Sequence, residues 1–64
     1  MIKIAVIDSG NSGLYVMDLW PAQISDENGD YDVFKIIDLF DETFGTRLNE
    51  SEISWGEINS IQIV

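Results

Sequence analysis

The chain has 64 residues, with twelve acidic residues against three basic ones, a formal net charge of −9, and no histidine or cysteine. These numbers exclude disulfide bonds, thiol chemistry and histidine-dependent catalysis, and they limit the chain to one small domain over residues 1–64. Hydrophobic residues make up 45%, so we expect a folded domain. No run of residues approaches the ~20 apolar positions of a membrane span, which predicts a cytoplasmic protein without a membrane partner.

The first predicted element is a β-strand over residues 2–8, which are rich in β-branched side chains and apolar at odd and even positions. Such a strand is typical of the centre of a sheet, so we expect both of its faces to be covered. Residues 9–13 form a turn cluster of Ser, Gly and Asn. Residues 14–20 are a second apolar run that Pro21 ends. The two runs predict an antiparallel hairpin.

Residues 21–32 are mostly polar and have two interpretations. The first is a loop that leads directly into a helix. The second depends on Asn28-Gly29, a strong signal for a two-residue hairpin turn, and pairs residues 22–27 with residues 30–34 in a second, smaller ribbon. Both alternatives stay open from the sequence.

A helix is predicted over residues 32–44, because apolar side chains recur there at helical spacing. Asp30 or Asp32 is suited to cap its N-terminus, and Gly45 stands where a glycine commonly ends a helix. The apolar stripe that this helix turns to the core consists of Val33, Ile36, Ile37, Phe40 and Phe44.

The signal weakens after Gly45. Residues 53–55 are interpreted as a short strand or an irregular turn, whereas residues 59–64 alternate in the manner of a strand. A terminal strand needs a neighbour, so we expect it to pair with the free side of the first strand. The sequence therefore predicts an α+β domain in the order ββαβ, with one helix packed on a small, mainly antiparallel sheet.

Two motifs have the appearance of catalytic segments. Residues 6–10 resemble the segment around the catalytic aspartate of subtilisin-like proteases, but that mechanism requires a histidine. With Asn11 included, the same segment resembles the first phosphate-binding hairpin of actin-like ATPases, which enclose nucleotide between two large lobes. We therefore interpret Asp8 as a residue that bonds nearby backbone amides. A domain of this size also has little room for a cleft with paired carboxylates, so we predict that the protein is not an enzyme.

Four oxygen-bearing side chains alternate before the helix, as the ligands of a calcium loop do. The EF-hand register also requires a glycine at its sixth position and a bidentate acid at its twelfth, where this chain has Tyr31 and Ile37. We therefore predict neither a dedicated metal site nor a cofactor. The four alternating residues are Asp26, Asn28, Asp30 and Asp32.

The acidic residues are concentrated in one part of the chain, because ten of the twelve lie between positions 26 and 57 and only Lys35 and Arg47 offset them there. Asp38, Asp41 and Glu42 stand at i, i+3 and i+4 on the helix, opposite the apolar stripe. A solvated surface that keeps the protein soluble is one explanation, for which a net charge of about −2 to −8 normally suffices. The other is a surface that occupies a basic, nucleic-acid-binding groove in place of phosphates, and we favour it.

Aromatic side chains lie beside these charges. Trp20, Tyr31, Phe34 and Trp55 are too many for one 64-residue core, and Phe34 falls near the acidic side of the helix. Aromatic anchors with a polar rim are typical of protein interfaces, including those of homodimers. The predicted partner-binding residues are Asp26, Glu27, Asp30, Asp32, Phe34, Asp38, Asp41, Glu42, Glu50 and Glu52.

The small size, strong acidity, lack of cysteine and hairpin-plus-helix pattern together resemble phage-encoded inhibitors of bacterial DNA-handling proteins. These include anti-CRISPR proteins, antirestriction proteins and uracil-DNA glycosylase inhibitors. The resemblance covers the whole chain in overall character and involves no specific motif. It implies a DNA-mimicking inhibitor of the anti-CRISPR type. The implied partner is a nucleic-acid-binding protein of the bacterial host, and the inhibitor itself is not expected to bind nucleic acid. A glycosylase inhibitor, a restriction-enzyme inhibitor and an acidic homodimeric interaction module are the alternatives.

Overall fold

The computed structural model describes residues 1–58, and residues 59–64 lie outside its described part. In chain order the elements are β1 (Ile2–Asp8), β2 (Gly13–Leu19), a 3-10 helix (Pro21–Gln23), α1 (Val33–Phe44), a second 3-10 helix (Glu50–Glu52) and β3 (Ile53–Ile58). The three strands form an antiparallel sheet in the order β2-β1-β3, and α1 packs on one of its faces. The predicted α+β class and ββαβ order are confirmed.

The hairpin of β1 and β2 is confirmed, with a register that runs from Ile2 opposite Leu19 to Asp8 opposite Gly13. Asp8 is only 4% exposed. Its carboxylate accepts hydrogen bonds from the backbone N–H of Gly10 at 3.0 Å and from Nδ2 of Asn11 at 3.2 Å. These bonds satisfy a buried charge and hold the turn between the strands, as the sequence predicts for this aspartate.

The second neighbour of β1 is β3, which pairs with it antiparallel from Lys3 opposite Ile58 to Asp8 opposite Ile53. The strand predicted over residues 59–64 lies outside the described residues, and the position beside β1 that was expected for it belongs to β3. Of the two interpretations of residues 53–55, the strand is correct and continues to Ile58. Its signal is weak because Gly56 and Glu57 have low strand propensity.

The helix begins and ends where the sequence predicts. Asp32 is the N-cap, because its side chain accepts a hydrogen bond from the backbone N–H of Phe34 at 2.9 Å. Gly45 adopts a left-handed conformation with φ of 67°, and its N–H donates to the carbonyl of Asp41 at 2.8 Å. Within residues 1–58, no helix has the length and apolar character needed to cross a membrane.

The connection between β2 and α1 combines the two alternatives of the sequence. It is mostly loop, with one isolated antiparallel bridge between Ser25 and Tyr31 instead of a full ribbon. Gly29 has a φ of 83° in the turn that the bridge closes. The Asp26 carboxylate accepts hydrogen bonds inside the same turn, from the backbone N–H groups of Asn28 and Asp30 at 2.8 and 3.0 Å.

The core lies between α1 and the sheet. Side chains at even positions of β1 point to the helix, and the predicted helical stripe meets them. At the edge of this stripe Phe44 is 41% exposed, and its ring centroid lies 5.3 Å from that of Tyr15 on β2. The buried apolar residues are Ile4, Val6, Leu19, Ile24, Ile36, Ile37, Phe40 and Leu48.

The expectation that both faces of β1 are covered is wrong. The odd positions of β1 point away from α1, and Ile7 among them is 53% exposed. On β2, Leu14 and Val16 share this face and are 67% and 41% exposed. The prediction was wrong because apolar residues at both odd and even positions of a strand do not show whether a second layer packs on it. Within residues 1–58 no element packs on this face.

Candidate partner-binding surface

Several of the predicted binding residues have structural roles of their own. Asp26 and Asp32 accept hydrogen bonds from nearby backbone N–H groups, as described above. The carboxylate Oδ1 of Asp41 accepts from the backbone N–H of Leu48 at 2.9 Å and from Oγ1 of Thr46 at 2.8 Å. Asp41 is therefore partly buried and ties the end of α1 to the following loop, whereas the expectation from the sequence was a solvent-facing side chain. Its part in binding stays a prediction.

A ridge of exposed side chains runs along α1 opposite the core. Phe34, Asp38 and Glu42 follow one another at i, i+4 and i+8, so neighbours lie about one helical turn apart. Phe34 is 60% exposed. The adjacent Lys35 directs its Nζ to the backbone carbonyl of Ser25 at 2.7 Å. Within residues 1–58, neither carboxylate of the ridge is in an ion pair.

An open groove of about 540 Å³ runs between the start of α1 and the segment over residues 47–51. Phe34 forms one wall, and Glu50 lies on the other, in the second 3-10 helix. Asn49 caps that helix by accepting a hydrogen bond from the backbone N–H of Ser51 at 3.0 Å. The structure thus brings Phe34, Asp38, Glu42 and Glu50 to one side of the molecule. We call these four residues with the groove the α1 surface.

Arg47 also lines this groove, and the sequence pattern did not single it out. Its side chain is exposed, and it is one of only three basic residues in the chain. No ion pair within residues 1–58 involves it. The α1 surface is therefore acidic on the helix ridge but carries one positive charge inside the groove. A single arginine in a polar loop gives no sequence signal for such a position.

The other predicted acidic residues lie elsewhere. Glu27 and Asp30 are exposed in the turn before α1. Glu52 lies beside the β1–β2 turn, where its backbone carbonyl accepts hydrogen bonds from the N–H of Ser9 at 2.9 Å and from Oγ of Ser9 at 2.7 Å. Its carboxylate covers Gly10, which leaves that glycine no space for a side chain unless Glu52 moves. The ten residues predicted from the sequence therefore do not form one continuous patch.

A cluster beside β3, the edge strand of the sheet within residues 1–58, contains two aromatic residues, the partly buried Tyr31 and the exposed Trp55. The Tyr31 hydroxyl donates to Oε1 of Glu57 at 2.8 Å, and the ring centroids of Tyr31 and Trp55 are 6.2 Å apart. The hydrogen bond to Glu57 is the main cause that raises the pKa of Tyr31 above its usual 10.0, and desolvation and the negative charge of Glu57 act in the same direction. This cluster packs the aromatics against each other and against the strand.

The alternating residues before α1 do not converge as metal ligands. In residues 1–58 there is no group of three or more acidic side chains placed to hold a metal ion. The carboxylates of Asp26 and Asp32 instead accept hydrogen bonds from their own backbone. The arrangement serves as a turn followed by a helix cap.

Comparison with known proteins gives no relative. No protein-family model matches the chain, and neither a curated protein nor a solved structure does. The resemblance to phage-encoded inhibitors therefore stays a prediction, and a function has to be inferred from the chemistry of the surface.

Proposed function

We propose that this protein is a DNA-mimicking inhibitor of the anti-CRISPR type, which acts in the cytoplasm of a bacterial host cell. Its α1 surface would occupy the basic groove of a nucleic-acid-binding protein and exclude the nucleic acid. The observation that supports this most directly is the ridge of Asp38 and Glu42. Their carboxylates form no ion pair within residues 1–58 and lie on a helix anchored in the core.

The physical reason is electrostatic. A groove that receives duplex DNA is lined with Lys and Arg, because the duplex carries one negative charge per ~1.7 Å of its axis. Carboxylates held one helical turn apart attract the same groove and accelerate encounter with it. Because α1 is packed on the sheet, the backbone that carries these carboxylates is already ordered, so binding does not lose entropy by ordering it.

Phe34 and Arg47 add features that phosphates do not have. Phe34 is an exposed aromatic beside the acids, which suits a hydrophobic anchor surrounded by a polar rim. Arg47 disfavours a basic side chain within the groove, so we expect the partner to place an apolar or acidic group there. Restriction enzymes and uracil-DNA glycosylases bind DNA through similar basic surfaces, and inhibitors of either remain the alternatives.

The test compares two triple variants with equal charge. The first replaces Asp38, Glu42 and Glu50 with lysine, and the second replaces Glu27, Asp30 and Glu52 with lysine. Each variant therefore changes the formal net charge from −9 to −3. Each variant and the unaltered protein are immobilised, exposed to a bacterial lysate and then eluted with duplex DNA. Released proteins are identified by mass spectrometry.

We expect DNA to release a nucleic-acid-binding protein from the unaltered protein and from the second variant, but not from the first. Equal loss in both variants would show that overall charge, not the α1 surface, drives capture. A captured partner that stays bound at saturating DNA would contradict mimicry.

A further inference from the structure

Within residues 1–58 no element covers the sheet face that points away from α1, and we call this apolar surface the open face. Ile7, Leu14 and Val16 are exposed at its centre. The registers of β1 with β2 and of β1 with β3 define its membership, because paired residues share a face. The open face consists of Lys3, Ala5, Ile7, Leu14, Val16, Asp18, Ser54, Gly56 and Ile58.

The open face is also electrically neutral, unlike the rest of the molecule. It holds one basic and one acidic residue, Lys3 and Asp18, whose Nζ and Oδ1 are 3.9 Å apart. The other eleven acids and two bases lie elsewhere on the chain and account for the whole net charge of −9. Two copies of this protein therefore repel each other least when their open faces meet, whereas a basic partner gains nothing there.

The shape of the open face is self-complementary. Ala5 is flanked at the same level by Val16 on β2 and Gly56 on β3, and Ile7 is flanked by Leu14 and Ser54. At these two levels the large side chains stand on β2 and the small ones on β3, whereas at the third level Lys3 is flanked by Asp18 on β2 and Ile58 on β3. A shallow groove of about 250 Å³ lies at Gly56, and within residues 1–58 no atom beyond its two chain neighbours would lie within 4 Å of a Cβ at this position.

We propose that the protein forms a symmetric dimer through its open face, with the two-fold axis parallel to β1. A rotation about this axis places β2 of one copy over β3 of the other. Val16 then faces the groove at Gly56 and Leu14 faces Ser54, twice in each dimer. Stacked sheets pack ~10 Å apart in this manner, and isologous interfaces of this kind are the commonest in homodimers.

The size of the open face determines how strong the dimer is. Three strands ~4.8 Å apart and about six residues long at ~3.3 Å per residue cover roughly 300 Å² of plane. Stable complexes bury about 800 Å² per partner, so the dimer is weak and depends on concentration. We expect a dissociation constant of about 10–1,000 μM. The α1 surfaces point outward in this dimer, which makes the inference independent of the proposed function.

Sedimentation equilibrium of the full chain at 10 μM to 2 mM in 150 mM NaCl tests the proposal. We expect the average mass to rise from 7.2 kDa towards twice that value. Leu14→Lys and Gly56→Val should each weaken association at least tenfold, the first by placing a charge in the interface and the second by filling the groove. Adding Val16→Ala to Gly56→Val should recover part of the loss, because it removes the methyl groups that would overlap.

Two control variants separate the open face from other surfaces. Gln23→Lys makes the same charge change as Leu14→Lys at an exposed position off the open face, and Phe34→Ser removes the aromatic of the α1 surface. Both should dimerise like the unaltered protein, and circular dichroism should show a folded chain in every variant. A constant mass of 7.2 kDa up to 2 mM would overturn the proposal. So would a dimer that Leu14→Lys and Gly56→Val leave unchanged, or one that Phe34→Ser abolishes.

Discussion

Replacing Asp41 with alanine is the perturbation that best separates structural from surface carboxylates. Oδ1 of Asp41 accepts hydrogen bonds from Leu48 N–H and Thr46 Oγ1, at 2.9 and 2.8 Å. Its loss leaves the part-buried N–H of Leu48 without a partner, which costs about 1–3 kcal/mol, and removes a second bond to a charged acceptor. We expect Asp41→Ala to lower the free energy of unfolding by about 2–3 kcal/mol.

Urea unfolding followed by tryptophan fluorescence measures this change, and two further variants calibrate it. Asp38→Ala removes an exposed carboxylate three residues away and should stay within about 0.5 kcal/mol of the unaltered protein. Asp41→Asn retains an oxygen acceptor and should fall between the two. If Asp41→Ala and Asp38→Ala have the same unfolding midpoint and slope, the hydrogen bonds of Asp41 contribute nothing and the argument for its structural role fails.

Three more perturbations follow from the fold and the α1 surface. Asp32→Ala removes the N-cap of α1 and should cost about 1 kcal/mol in urea unfolding, with Asp30→Ala as the neutral control. In a Tyr15→Phe background Tyr31 is the only tyrosine. The midpoint of its titration, followed by absorbance at 295 nm, should lie above pH 10.0 and should be lower when Glu57→Gln is added. Because the folded state holds this proton more tightly, the resulting stability is present below pH 10.0 and is lost as the pH rises through the raised pKa. Affinity for a basic partner should fall between 0.1 and 1 M NaCl, since the Debye length shrinks from ~10 to ~3 Å, and unchanged affinity would contradict electrostatic binding.

Local patterns predicted most of the fold. The apolar stripe placed α1, and the residues at its ends were assigned correctly because capping chemistry is local: Asp32 binds the N–H of Phe34, and Gly45 adopts the positive φ that favours glycine. The β1–β2 hairpin is equally local. The segment that pairs with the second side of β1 was predicted wrongly, as residues 59–64 instead of β3. The reason is that β3 is held by its pairing with β1, and a strand containing Gly56 has little propensity of its own.

The acidic surface could be predicted only in part. The sequence indicates that Asp38 and Glu42 share a helix face, and the structure places them so. It does not indicate that Glu50 joins Phe34 across a groove, because that depends on how the loop after Gly45 returns along α1. Nor does it distinguish Asp41 from Asp38, since the partners of Asp41 are five and seven residues further along the chain.

The separation of charge from the open face connects these observations. A single helix buries only one face of a three-stranded sheet, and within residues 1–58 no element packs on the other. On the leftover face the sequence places apolar side chains and a single Lys3–Asp18 pair, while every uncompensated charge lies on the helix, the loops and the other strand positions. If the charges served only solubility, we would expect them on the open face, where they would prevent association through its apolar side chains. The opposite distribution is the one expected if the acidic side and the open face serve two different contacts, one with a basic partner and one with a second copy.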